Sequence, residues 1–91
     1  MTEIIVTEKS EGDFEIVVKE GESSTAHHVS LDVLDYERLT GGKCSASELI
    51  KQSFLFLLER ESKESILGRF DLMEIARYFP EYEKEIKNKF K

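Results

Sequence analysis

Apolar and polar positions alternate in two short runs near the start of the chain, EIIVTE at residues 3–8 and FEIVVK at 14–19. A period of two places Ile4 and Val6 on one face of the first run, and Phe14, Ile16 and Val18 on one face of the second. Both are rich in β-branched residues, and the KSEGD between them offers Gly12 for a positive φ. The pattern predicts a β-hairpin whose five named residues feed the core. A small polar stretch, Glu20–Ala26, predicts a loop, after which HHVSL resumes the alternation as a third strand with Val29 and Leu31 inward.

Beyond residue 32 the period lengthens. Asp32 is placed to cap a short helix through VLDYERL, stopped by Thr40, Gly41 and Gly42. Ser45 and Glu48 have capping-box spacing, so a longer helix begins at Ala46. At 100° per residue, Ala46, Leu49, Ile50, Phe54, Phe56, Leu57 and Leu58 cover an arc of roughly 200°, enough to pack against a sheet and further helices together. Leu55 falls on the opposite side.

ESILGRF reads as a further short helix. Asp71 and Glu74 repeat the capping spacing before LMEIARYF, whose Leu72, Ile75, Ala76 and Phe79 form one helical stripe. Pro80 predicts a bend and then a last helix carrying Tyr82, Ile86 and Phe90, with Glu83–Lys87 and Glu85–Lys89 as exposed charge pairs. The expected fold is a single α+β domain over residues 1–91: a small antiparallel sheet of about three strands, packed against a C-terminal helical layer.

Composition narrows the function more than it defines it. The 91 residues carry nineteen acidic and thirteen basic side chains, a net charge of −6 that repels phosphate backbones. No apolar run approaches membrane-spanning length, and MTEIIVTEKSEGD lacks the basic flank and apolar core of a signal peptide. The single cysteine, Cys44, has no internal disulfide partner. A cytoplasmic protein is expected. A core this small leaves much surface in water, so a protein partner or a homodimer is expected to cover part of it.

Candidate chemistry is sparse. His27 and His28 are adjacent and point to opposite faces of a strand, which prevents simple chelation of one metal. Cys44 precedes a helix N-terminus beside Lys43, a setting that lowers a thiol pKa, but no histidine stands at a diagnostic spacing. Gly41-Gly42-Lys43 lacks the spacing of a phosphate loop. No catalytic residue, metal or cofactor is assigned.

Two binding readings follow. The first is a non-catalytic protein-interaction or regulatory module that uses a helical surface, with Leu55, Tyr78 and Tyr82 as interface residues. The alternative is a DNA-binding or antitoxin-like dimer, because HHVSLDVLDYERL followed by the Ser45 helix resembles the strand and helices of ribbon-helix-helix repressors. The basic end formed by Lys84, Lys87, Lys89 and Lys91 is interrupted by Glu81, Glu83 and Glu85, which argues for a solvated helix face. Over residues 27–90, HHVSLDVLDYERLTGGKCSASELIKQSFLFLLERE with ESILGRFDLMEIARYFPEYEKEI resembles a group of small, uncharacterised prokaryotic proteins of about 90 residues. That resemblance implies a prokaryotic cytosolic setting and carries no site residue across.

Overall fold

The computed structural model describes residues 2–91. The hairpin forms as β1 (Thr2–Ser10) and β2 (Asp13–Glu20), antiparallel, with Ile4 opposite Val18 and Val6 opposite Ile16. Gly12 takes φ 78° in the turn, and a β-bulge interrupts β1 between Glu8 and Ser10. Phe14, Ile16 and Val18 are sealed into the core, while Ile4 and Val6, one strand further out, are half-buried.

Of the polar stretch at residues 20–26 expected as a loop, only Gly21 and Glu22 form a turn, and the rest is strand. β3 (Ser23–Ser30) begins after a two-residue turn and pairs antiparallel with β2 along its full length. Its first residues, SSTA, are weak strand formers in isolation, but each sits opposite a β2 residue whose backbone needs a partner.

From β3 the chain crosses one face of the sheet through α1 (Val33–Thr40) and α2 (Ala46–Leu58), then a 3-10 turn at Lys63–Ser65. It returns as β4 (Arg69–Asp71), which runs parallel to β3 with Phe70 beside Val29. Parallel neighbours require such a crossover. The sheet is therefore mixed and four-stranded, in the order β1-β2-β3-β4, where the sequence predicted about three antiparallel strands. ESILGRF misled because its apolar residues serve two elements. Ile66 is buried beside the 3-10 turn and Phe70 by the sheet, so their spacing is no single helix stripe.

The helix starts follow their capping residues. The Asp32 carboxylate accepts from the Leu34 N–H at 2.7 Å, and the Ser45 hydroxyl accepts from the Glu48 N–H at 3.1 Å. Glu48 does not complete the capping box, since its carboxylate accepts from the Gln52 amide at 2.8 Å. Asp71 accepts from the Met73 N–H at 3.1 Å, and the helix it introduces is shorter than its stripe: α3 spans Glu74–Tyr78. Pro80 marks the predicted bend, followed by α4 (Tyr82–Lys89).

Side chains between the helices lock the layer. Phe56 meets Phe79 and Tyr82 edge-on at 5.9 and 5.3 Å, and Phe54 lies 5.4 Å from the His27 ring. Arg60 stacks over Phe56 at 3.6 Å and binds Glu81 and Glu85 at 3.1 and 3.0 Å, tying the end of α2 to α4. Glu85 is thus drawn to Arg60, while Glu83 meets Lys87 at 3.9 Å as its spacing predicts and also pairs with Arg38 of α1.

Candidate functional site

Where α2 ends, the chain wraps through residues 61–70 and passes into α3, and the three segments do not fill the space between them. They leave an apolar cleft of about 330 Å³. Its walls are Leu57 from α2, Ile66, Leu67 and Phe70 from the crossover and β4, and Ile75 and Phe79 from the α3 region. Tyr78 and Leu67 also line the cleft and remain 65% and 47% exposed. The polar lining is Glu61, Ser65 and Glu74, so every charged side chain in it is acidic. An aromatic and an aliphatic side chain thus stand in water beside an apolar recess.

The rim is held by backbone contacts that explain the paired histidines. His27 points inward and is buried, while His28 points to solvent. The Leu67 carbonyl can only accept, so His27 Nδ1–H donates to it at 2.8 Å, leaving Nε2 to accept from the Thr25 hydroxyl at 2.8 Å. The next residue repeats the fixing, with His28 N–H donating to the Gly68 carbonyl at 2.8 Å. Leu67 is therefore projected from a backbone pinned at its own carbonyl and at the next one. Nearby, Lys63 is 4% exposed yet charged: its ammonium meets Glu64 and, at 3.5 Å, Glu20, and these carboxylates hold its pKa above the ordinary value.

The interface residues named from the sequence separate in the structure. Tyr78 lines the cleft. Leu55 is 38% exposed on α2 and is not part of the lining. Tyr82 is 0% exposed and belongs to the core, which corrects its assignment to a surface. Ser53 donates its only hydroxyl proton to the Leu49 carbonyl at 2.8 Å, so the Tyr82 hydroxyl donates to Ser53 Oγ at 2.7 Å. Burial pushes the Tyr82 phenol well above its ordinary value, with the Ser53 hydrogen bond opposing only in part. A serine inside an apolar helix arc was the available sign that something polar must meet it there.

The remaining candidates have other settings. Cys44 is partly buried, and its thiol pKa is raised first by desolvation and then by the Glu48 carboxylate, opposite to the activation its helix-start position suggested. Among the described residues no three His, Cys, Asp or Glu side chains form a group that could hold a metal ion. No helix among them is long and apolar enough to cross a membrane. The strand preceding α1 and α2 lies between β2 and β4, so it is not free to pair with a second copy as a DNA-reading ribbon.

A second cleft, of about 320 Å³, lies at the end of the sheet. It mixes Lys9, His28 and Arg69 with Asp13 and Asp71, and Ser30 and Ser10 already donate to the two aspartates at 2.9 Å. The chain matches no family model, no curated protein and no solved structure.

Proposed function

We propose that this protein is a small, non-catalytic, cytosolic binding module that engages a partner protein through the cleft between the end of α2 and α3. The observation that carries this reading is the unfilled apolar recess beside the exposed side chains of Leu67 and Tyr78. Binding hot spots concentrate in aromatic and aliphatic anchors next to such recesses. The charged lining is acidic, Glu61 and Glu74, the latter paired with Arg77 at 3.3 Å, and it favours a partner segment that inserts an apolar side chain flanked by lysine or arginine. The lining carboxylates, Glu61 and Glu74, are half-buried, and the Cys44 thiol, whose pKa is raised by desolvation, lies outside the cleft. The interior position of β3 weighs against the DNA-binding alternative.

The reading is tested by Leu67→Glu and Tyr78→Ala. Both positions are exposed, so circular dichroism and melting temperature should stay near wild type. Each variant should lose at least about tenfold in affinity for a purified partner identified with the wild-type chain, consistent with hot-spot truncations above about 1.4 kcal/mol. Unchanged affinity in both variants would remove the cleft as the binding surface.

A further inference from the structure

The outer edge of β1 is an open sheet edge that shares no residue with the cleft. β1 ends the sheet and hydrogen-bonds to β2 alone, and among the described residues no backbone hydrogen bond from another element reaches it. An open edge is a template for another strand unless proline, charge, a bulge or a covering element blocks it. Here the bulge lies at one end, between Glu8 and Ser10, and leaves Ile4-Ile5-Val6 undefended. Ile4 and Val6 face the helical layer yet stay half-buried, whereas Phe14, Ile16 and Val18 on the next strand are sealed. α2 packs over β1, yet Ile4 and Val6 keep part of their surface in solvent. On the opposite face Ile5 is 38% exposed and begins an apolar row with Val17 and Ala26 across the strands.

We propose that the occupant of this edge is a second copy of the chain, pairing β1 antiparallel to β1 about a two-fold axis at Ile5. Residues 2–8 read polar, polar, apolar, apolar, apolar, polar, polar, a pattern symmetric about Ile5. In this register Ile5 faces itself, Ile4 faces Val6, Glu3 faces Thr7 and Thr2 faces Glu8. Apolar residues meet apolar ones, and no like charges stand opposite. An axis perpendicular to the sheet also keeps both helical layers on one side, which requires side chains of the same facing to pair. Moving the axis to Ile4 sets Glu3 against Ile5. Moving it to Val6 sets Ile4 against Glu8 and runs into the bulge. The Ile5 register joins the two sheets into one of twice the strands.

A single strand pair buries less than about 1,200 Å², so the association is weak and concentration-dependent. Each copy carries a net charge of −6, so added salt strengthens it by screening. Light scattering on the full chain from about 1 μM to 1 mM should show the mass rising towards twice that of one chain. Ile5→Lys, which sets two ammonium groups face to face at an exposed position, should remain at one chain mass with an unchanged circular dichroism spectrum.

Register is read by cysteine cross-linking in a Cys44→Ser background. Ile5→Cys should oxidise to a disulfide dimer, because directly paired Cα atoms lie about 4.5–5.5 Å apart, within disulfide reach. Thr7→Cys alone should not, since its own counterpart lies four residues along the strand, about 13 Å away. An equimolar mixture of Glu3→Cys and Thr7→Cys chains should cross-link. A constant single-chain mass for the wild type, or Thr7→Cys cross-linking as readily as Ile5→Cys, overturns the proposal. Neither outcome bears on the cleft, which contains no β1 residue.

Discussion

At the scale of single residues, the structure turns on a few polar side chains placed inside apolar surroundings, each satisfied by an identifiable partner. The Ser53–Tyr82 pair shows the asymmetry this creates. Ser53→Ala leaves the buried Tyr82 hydroxyl with no acceptor and should cost about 1–3 kcal/mol in urea unfolding, whereas Tyr82→Phe leaves Ser53 still donating to Leu49 and should cost about 0.5–1.5 kcal/mol. The double variant should cost less than the sum, because the group stranded by the first change is removed by the second. Tyr82 also carries a pH signature. The folded chain holds the phenolic proton above pH 10.0, the ordinary value at which the unfolded chain releases it. The unfolded state then binds fewer protons, so stability falls as pH rises past that point, by about 1.4 kcal/mol per pH unit. Tyr82→Phe should show a shallower alkaline decline, and equal slopes would contradict the buried phenol. His27→Leu should cost about 1–3 kcal/mol by stranding the Leu67 carbonyl. It should also loosen the cleft rim, visible as faster amide hydrogen exchange around residues 66–69.

At the scale of elements, the hairpin, α1, α2 and α4 were legible because each has a local signal stronger than its context. Gly12 with β-branched flanks, Asp32, Ser45 and Pro80 all stand where a turn, cap or bend is found. Gly12→Ala should destabilise the fold by at least about 1 kcal/mol, since the new Cβ takes a left-handed φ and lies 3.1 Å from the Leu31 carbonyl oxygen. A melting temperature at or above wild type would show that the turn relaxes. β4 and the first half of β3 were not legible, because their strand character comes from neighbours: SSTA pairs with β2, and Arg69–Asp71 pairs with β3. The cleft was hidden for the same reason. Leu57 and Phe79 read as ordinary members of apolar helix stripes, and only the packing of three segments shows that they leave a recess between them. Tyr78 is exposed as expected, whereas Tyr82 is buried with Ile86, the residue one turn further along its stripe, and that spacing is the signal its assignment to a surface overlooked.

At the scale of the whole molecule, two separate surfaces carry the proposed contacts, the cleft at the β4 side and the open edge of β1, and further exposed apolar side chains stand at Val33, Leu34 and Leu55. The two surfaces draw on different residues, so each can be disabled without the other. The sheet places helices on one face only, and the polar rows of the other face, such as Glu15 beside His28 and Lys9, keep that face in solvent. Binding, in this account, is a property of the layer's edges and not of an enclosed pocket. The most direct test is quantitative affinity capture at high salt from native cell extract, comparing the wild-type chain with the Leu67→Glu/Tyr78→Ala double variant at matched folding. A defined protein retained by the wild type and depleted at least about tenfold by the double variant is the predicted result. The same proteins retained in equal amounts by both chains would contradict the assignment of the cleft as the binding site.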